Sequence, residues 1–211
     1  MRTGRNPVLI ASFYAPRHDQ WGADYLALLR LLDKSCRRFG LDHLCISDRD
    51  LKIVDTLVCK LPDNLMLAIL DGQKQCLEWT QEPVLFVGAD CLIAKDPRTV
   101  NGGDLTITTS DTFGDCRMNT GAIWCHNPAR CVPIWRAAVD AKPEQWGDDQ
   151  IALYEAVKAS GASVQEAPCE QHNWAPGTVE DDAGMSTVVH FRGRRKVWMA
   201  EWAKRWMDLE C

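Results

Sequence analysis

The chain has 211 residues, 46% apolar and 25% charged, with 24 basic against 29 acidic side chains and a net charge of −5. That length can bury a substantial core without disulfide or metal staples. The composition excludes a disordered, collagen-like or membrane-embedded chain, and the acidic balance leaves nucleic-acid contact only to a local basic patch.

Val8–Tyr14 is an almost wholly apolar run, as expected of a strand buried on both faces. Behind Arg2 and Arg5 it faintly imitates a signal peptide, but Ser12 interrupts it and it runs into Pro16–Asp19. No stretch approaches the ~20 apolar residues of a membrane span, so a soluble, cytoplasmic protein is expected. Tyr25, Leu28, Leu29, Leu32, Cys36 and Phe39 recur at helical steps and predict a helix that stops at Gly40. His43–Ser47 and Thr56–Leu61 read as strands, and Pro62–Asn64 as a turn and cap before a helix over Leu65–Trp79. Pro83–Asp90 is a strand ending in a carboxylate, and Asp104–Thr109 and Met118–Cys125 are two more. Asn127 as cap and Pro128 as first helical residue open a helix to about Val139; Asp148 and Asp149 open another, which Gly161 closes.

Glu166–Met185, rich in Pro, Gly, Asp and Glu, predicts a long irregular stretch of the kind that often carries function. Val188–Phe191 is a last short strand. Val197–Leu209 predicts a helix with Trp198, Trp202 and Trp206 at four-residue steps. Strands alternating with helices over the first ~100 residues imply a largely parallel sheet with crossover helices. One α/β domain over residues 1–211 is expected, with a C-terminal helical extension from about 197.

None of the ten cysteines forms a C-x-x-C pair, and Cys45, Cys59, Cys91 and Cys125 lie in apolar runs. They read as reduced thiols acting as small core hydrophobes, which points to a reducing, intracellular compartment. Cys116, Cys125, His126 and Cys131 match no common zinc spacing, and the neighbours Cys125 and His126 on a strand would face opposite ways.

Open α/β sheets bind ligands beyond the carboxyl ends of their strands, where Asp90 stands. A carboxylate there suits a divalent cation that neutralises a phosphate-bearing ligand; taken alone, it reads better as a turn cap. Val188–Lys196 carries the string H-x-x-G-x-x-K. His190 at a strand end can ligate the same cation, Gly193 lets the backbone approach a phosphate, and Lys196 supplies a mobile positive charge.

In order and spacing these residues resemble the GT-A fold glycosyltransferases that use nucleotide sugars, most closely family 8, the glycogenin and lipo-oligosaccharide galactosyltransferase group. Gly88-Ala89-Asp90 stands at the family's D-x-D, Asn119-Thr120-Gly121 at its N-x-G, Asp149-Gln150 at its D-Q pair, and His190, Gly193 and Lys196 at its H-x-x-G-x-x-K. The resemblance implies a single GT-A (Rossmann-like) domain with a mixed, mostly parallel sheet flanked by helices. It also implies metal-assisted, retaining transfer of a hexosyl or pentosyl group from a nucleotide-diphospho-sugar, with a UDP-sugar favoured by the family's habit.

Carried over by position, Asp90 and His190 would bind Mn²⁺ or Mg²⁺, and Gly193 and Lys196 would hold the diphosphate as it leaves. Asn119, Gly121 and Asp149 would contact the donor sugar, with Gln150 near the anomeric carbon. Ser12, Phe13 and Tyr14 would cradle the nucleobase, Ala89 sits inside the donor motif, and Lys74 would be a basic donor contact. The departure is Gly88 where the family has its first aspartate, with Lys196-Val197-Trp198 in place of K-P-W a milder one. Asp111 or Asp115 could supply a compensating carboxylate; lost metal dependence or a donor-binding pseudoenzyme are the other outcomes.

A nucleotidyltransferase is a rival, but Ser12–Arg17 lacks the glycine- and lysine-rich loop common there. The acceptor is open among glycan, protein and nucleic acid, including DNA bases as in phage- or virus-type enzymes. The tryptophan helix, beside Arg192, Arg194, Arg195, Lys204 and Arg205, reads either as a packed helix or as a contact for an anionic acceptor or surface.

Overall fold

The computed structural model describes residues 8–16, 24–111 and 114–210; Arg2, Arg5, residues 17–19 and Cys211 lie outside them. Seven strands form one sheet: β1 (Leu9–Phe13), β2 (His43–Ser47), β3 (Asp55–Val58), β4 (Val84–Gly88), β6 (Leu105–Thr109), β7 (Met118–Cys125) and β8 (Val164–Pro168). Their order is β3-β2-β1-β4-β7-β6-β8. The first four are mutually parallel, β7 is antiparallel to β4 and β6, and β8 is parallel to β6. This is the mixed, mostly parallel α/β sheet expected from the sequence. A second sheet pairs β5 (Cys91–Ile93) with β9 (Val188–His190), antiparallel, with Cys91 opposite His190.

The central strands are apolar on both sides because both faces are covered. Val84 and Phe86 point into one core, and Leu85 and Val87 into the other, following the two-residue strand period. The first core packs beneath α2 (Leu65–Trp79), α3 (Pro128–Asp140) and α4 (Asp148–Ala159). The second is covered by α1 (Tyr25–Arg37) and the small sheet. Asn64 caps α2 as expected, its side chain accepting from the Leu67 N–H at 3.0 Å. Asn127 does not cap α3 with its side chain; the amide donates instead to Asp104 Oδ1 at 3.2 Å.

Glu166–Met185 is less irregular than its composition predicts: Glu166–Pro168 belong to β8, and Cys169–His172 form the short α5. Four of the five β8 residues are exposed, so this edge strand has no apolar pattern and is held by backbone pairing to β6. A 3₁₀ turn over Gly193–Trp198 leads into α6 (Met199–Met207). The buried face of α6 is Met199, Trp202, Ala203 and Met207 rather than a tryptophan stripe; Trp206 is 40% exposed. Trp202 lies edge-on to Phe191, and its Nε1 donates to the Asp181 carbonyl at 2.7 Å. The nine cysteines described are all free, and all but Cys116 are buried. No helix among the described residues is long and apolar enough to cross a membrane.

Candidate active site

A cleft of about 500 Å³ opens at the carboxyl ends of β1 and β4. That is where a parallel sheet leaves its loops free to hold a ligand. Phe13, Tyr14, Ala89, Asp90, Asn119, Gly121, Asp149, Gln150, His190, Gly193 and Lys196 all line it. Ser12 and Lys74 do not. Ser12 is 1% exposed, and its Oγ lies 2.9 Å from His43 Nε2. With Asp33 Oδ1 3.7 Å from His43 Nδ1 this has the order of a hydrolase triad, but no substrate reaches so buried a hydroxyl. Lys74 pairs with Asp71 one turn earlier on α2, and its neighbour Gln73 lines the cleft instead. Neither Asp111 nor Asp115 reaches the cleft; Asp111 pairs with Arg117 at 3.0 Å on the surface.

The small sheet creates the charged centre. The Phe191 N–H donates to the Asp90 carbonyl at 2.9 Å, which sets His190 beside Asp90 although the two are distant in sequence. His190 Nε2 lies 3.5 Å from Asp90 Oδ1, and Lys196 Nζ 2.7 Å from Asp90 Oδ2. Burial alone would raise the Asp90 carboxyl, but His190 and Lys196 outweigh it and hold the group well below the usual carboxylate range. Gly193 has a φ of +60° with open space where a Cβ would stand. The left-handed turn that starts the Lys196 segment is reason enough for glycine here, and no protein atom crowds the position.

Asn173 is the residue that sequence reading missed. It is fully buried, and its Oδ1 lies 3.1 Å from His190 Nδ1. Its amide nitrogen donates to Asn119 Oδ1 at 2.7 Å and Thr108 Oγ1 at 3.1 Å. The contact between Nδ1 and Asn173 fixes the orientation of the His190 ring and turns Nε2 toward Asp90 and the cleft. Asn119 Oδ1 also accepts the Gly121 N–H at 2.8 Å, so Asn119 shapes the β7 backbone as well as facing the cleft. A Cβ on Gly121 would strike the His190 ring and Asn119 Oδ1, well inside 3.0 Å.

At the other end, Tyr14 and Tyr25 stack with centroids 5.3 Å apart and line the wall. Tyr25 shared the periodicity of a core residue, so only its place in space reveals it. Leu65, Met66 and Ile69 of α2 and Trp146, 71% exposed, make an apolar wall that sequence reading also missed. Asp149 opens α4, and burial pushes its carboxyl up from the usual range. Gln150 Oε1 accepts from the Thr120 N–H at 3.4 Å, tying α4 to β7.

No protein-family model and no curated protein matches the sequence. The fold does match solved structures. A glycosyltransferase involved in the glycosylation of the major capsid of PBCV-1 superposes with a TM-score of 0.63 at 12% identity, covering 93% of this chain and 98% of that one. The glycosyltransferase GlyE of Streptococcus pneumoniae TIGR4 gives 0.64 at 13% identity, with 94% of this chain and 60% of GlyE covered. This is a GT-A-type glycosyltransferase fold.

Against Mn²⁺ or Mg²⁺ the donor set fits poorly. Asp90, Cys91 and His190 are the one trio among the described residues whose ligand atoms lie within 4.8 Å of one another. Hard cations take mostly oxygen ligands, and here the chain offers one carboxylate and one imidazole beside a soft sulfur, so most of the shell would have to come from the donor's diphosphate. Cys91 is sealed in the core with its thiol held well above the usual range by burial, which disfavours the thiolate a metal needs.

Proposed function

We propose that the protein is a glycosyltransferase that takes its sugar from a nucleoside-diphospho-sugar. The observation that carries this is convergence: short motifs from four separate stretches of chain meet in one cleft on this fold. In this reading the stacked Tyr14–Tyr25 end, with Phe13, receives the nucleobase, and the diphosphate lies between Gly193 and Lys196. The sugar sits over Asn119 and Gly121 beside Asp149 and Gln150. The bond between the anomeric carbon and the diphosphate oxygen breaks with its electron pair left on that oxygen. A new bond forms from the acceptor hydroxyl oxygen, whose proton passes to the departing diphosphate. Positive side chains facing that oxygen lower the barrier by meeting the charge as it develops.

The resemblance to family 8 extends the proposal to a UDP-sugar and a retaining course. Acceptor choice falls to the stretches Asn101–Arg117 and Glu166–Met185 where they leave the strands and helices, for a glycan, protein or nucleic-acid acceptor, DNA bases included. Gly88 also favours a second reading, a donor-binding protein without turnover. Melting curves with UDP, GDP, CDP and their sugar conjugates test the donor site, because a ligand of the folded state raises the melting temperature by mass action. Release of free sugar or transfer to an acceptor then separates enzyme from pseudoenzyme. No response to any nucleotide in folded protein would refute the donor site.

A further inference from the structure

A departing diphosphate needs positive charge beside it, and two sources can supply it: a bound divalent ion or the side chains themselves. Four features of the cleft favour the second. Asp90 is already neutralised, its Oδ2 within 2.7 Å of Lys196 Nζ, with the two side chains only 11% and 10% exposed. Oδ2 carries the ammonium and Oδ1 faces His190 Nε2 at 3.5 Å, so a divalent ion would have to share this one carboxylate with a lysine already paired to it. Position 88 adds no carboxylate because it is glycine, and a Cβ there would meet Asp90 Oδ1 unless that carboxylate turned away. Cys91, the third candidate ligand, is enclosed, and its thiol donates to the Gly121 carbonyl at 3.5 Å.

The fourth feature is the cationic lining. Arg192 and Lys196 both line the cleft within one short segment, next to the His190 ring. The Gly193 left-handed turn, followed by the 3₁₀ stretch, places Arg192 and Lys196 on the same wall. Arg192 is itself braced, an Nη donating to the Asn173 carbonyl at 3.2 Å. Two acids line the same cleft, Asp90 and Asp149, and Asp149 resists ionisation because it is buried. A guanidinium fork and an ammonium are suited to the non-bridging oxygens of a diphosphate.

We propose that this cleft binds the diphosphate of its donor without a resident divalent metal, using Lys196 and Arg192 with His190, and that Asp90 is the counter-ion that parks Lys196 until the diphosphate arrives. The inference rests on the nucleoside-diphosphate reading above and says how that site is charged. It reverses the expected role of Asp90: a metal ligand would be indispensable to binding, whereas a parking counter-ion competes with the ligand for Lys196.

The test is calorimetric titration of UDP into the whole chain, once in EDTA and once in Mn²⁺, for wild type and three variants. Expected is a wild-type affinity in EDTA within about threefold of that in Mn²⁺, and no heat from Mn²⁺ alone. Asp90→Asn should bind UDP in EDTA at least as tightly as wild type, since it frees the ammonium. Lys196→Met should lose roughly tenfold or more. Because that variant strands a buried carboxylate, Asp90→Asn/Lys196→Met, neutral on both sides, is the folded control and should lose UDP to the same degree. Binding that requires Mn²⁺, or that Asp90→Asn abolishes in well-folded protein, would overturn metal-free binding and leave the donor site standing. Absence of UDP, GDP and CDP binding in both buffers would instead overturn the donor reading, and this inference with it.

Discussion

Gly121→Ala probes how tightly β7 and the His190 loop are fitted. The new Cβ would lie well inside 3.0 Å of both Nδ1 and Cε1 of the His190 ring, and 2.8 Å from Asn119 Oδ1. Close-packed interiors relax only by small shifts, so the ring must withdraw by roughly 1 Å. That is enough to break its 3.1 Å contact with Asn173, leaving two partly or wholly buried polar atoms short of a partner. Each such atom costs about 1–3 kcal/mol, which gives about 2–4 kcal/mol for the variant once some relaxation is allowed. At about 2–4 °C per kcal/mol for a chain of this size, the melting temperature should drop by roughly 5–15 °C. UDP affinity should fall as well, since His190 leaves its place. Gly161→Ala is the control: nothing lies within 4 Å of its Cβ and its φ is not left-handed, so it should melt at or slightly above wild type. Differential scanning calorimetry of the three proteins checks this. A Gly121→Ala protein that melts and binds UDP like wild type would refute the argument that glycine is demanded by the histidine ring.

Asn173→Ala removes three buried hydrogen bonds at once and should cost about 2–4 kcal/mol with a matching loss of UDP affinity, read by melting and titration. Asp149 has a raised carboxyl pKa in the folded state, so its contribution to stability is full below the unfolded value of 3.8 and is lost as pH rises through the folded value. Asp149→Asn should therefore melt above wild type at pH 7, with the gap closing toward pH 4; parallel melting curves across that range would contradict the buried charge. Trp202→Ala, at a site 1% exposed, should cost about 3–5 kcal/mol. Trp206→Ala loses one hydrogen bond to the Val179 carbonyl and should cost about 1 kcal/mol, so equal melting shifts would show that α6 packs differently.

Much of the site was legible residue by residue. A carboxylate after an apolar strand, an Asn-Thr-Gly run on β7, an Asp-Gln pair at the start of α4 and H-x-x-G-x-x-K each carry local signals, and their order along the chain added more than any one of them. The helices were equally legible, because α1 and α2 bury one stripe each and begin at side chains that cap them. β8 was not, since an exposed edge strand is held by backbone bonds that leave no pattern in residue type. Asn173 was hidden for a related reason: nothing local distinguishes a buried asparagine that bonds three partners from one in a loop.

The sequence by itself determined the chemistry available, which acids, imidazole, amides and cations lie at the ends of which strands, because polarity and periodicity are local properties. Only the tertiary structure decided which of them meet. Pairing of β5 with β9 closes a loop of nearly a hundred residues and sets Asp90 against His190 and Lys196. That closure puts a residue read from sequence as a metal ligand within 2.7 Å of a lysine ammonium. It also shows that Gly121 is required by the ring packed on it, and that Tyr25 and Trp146 line the cleft, Tyr25 while packing on the core as well. Each of these depends on distances between segments far apart in the chain, and such distances follow from packing the whole core rather than from any stretch of sequence.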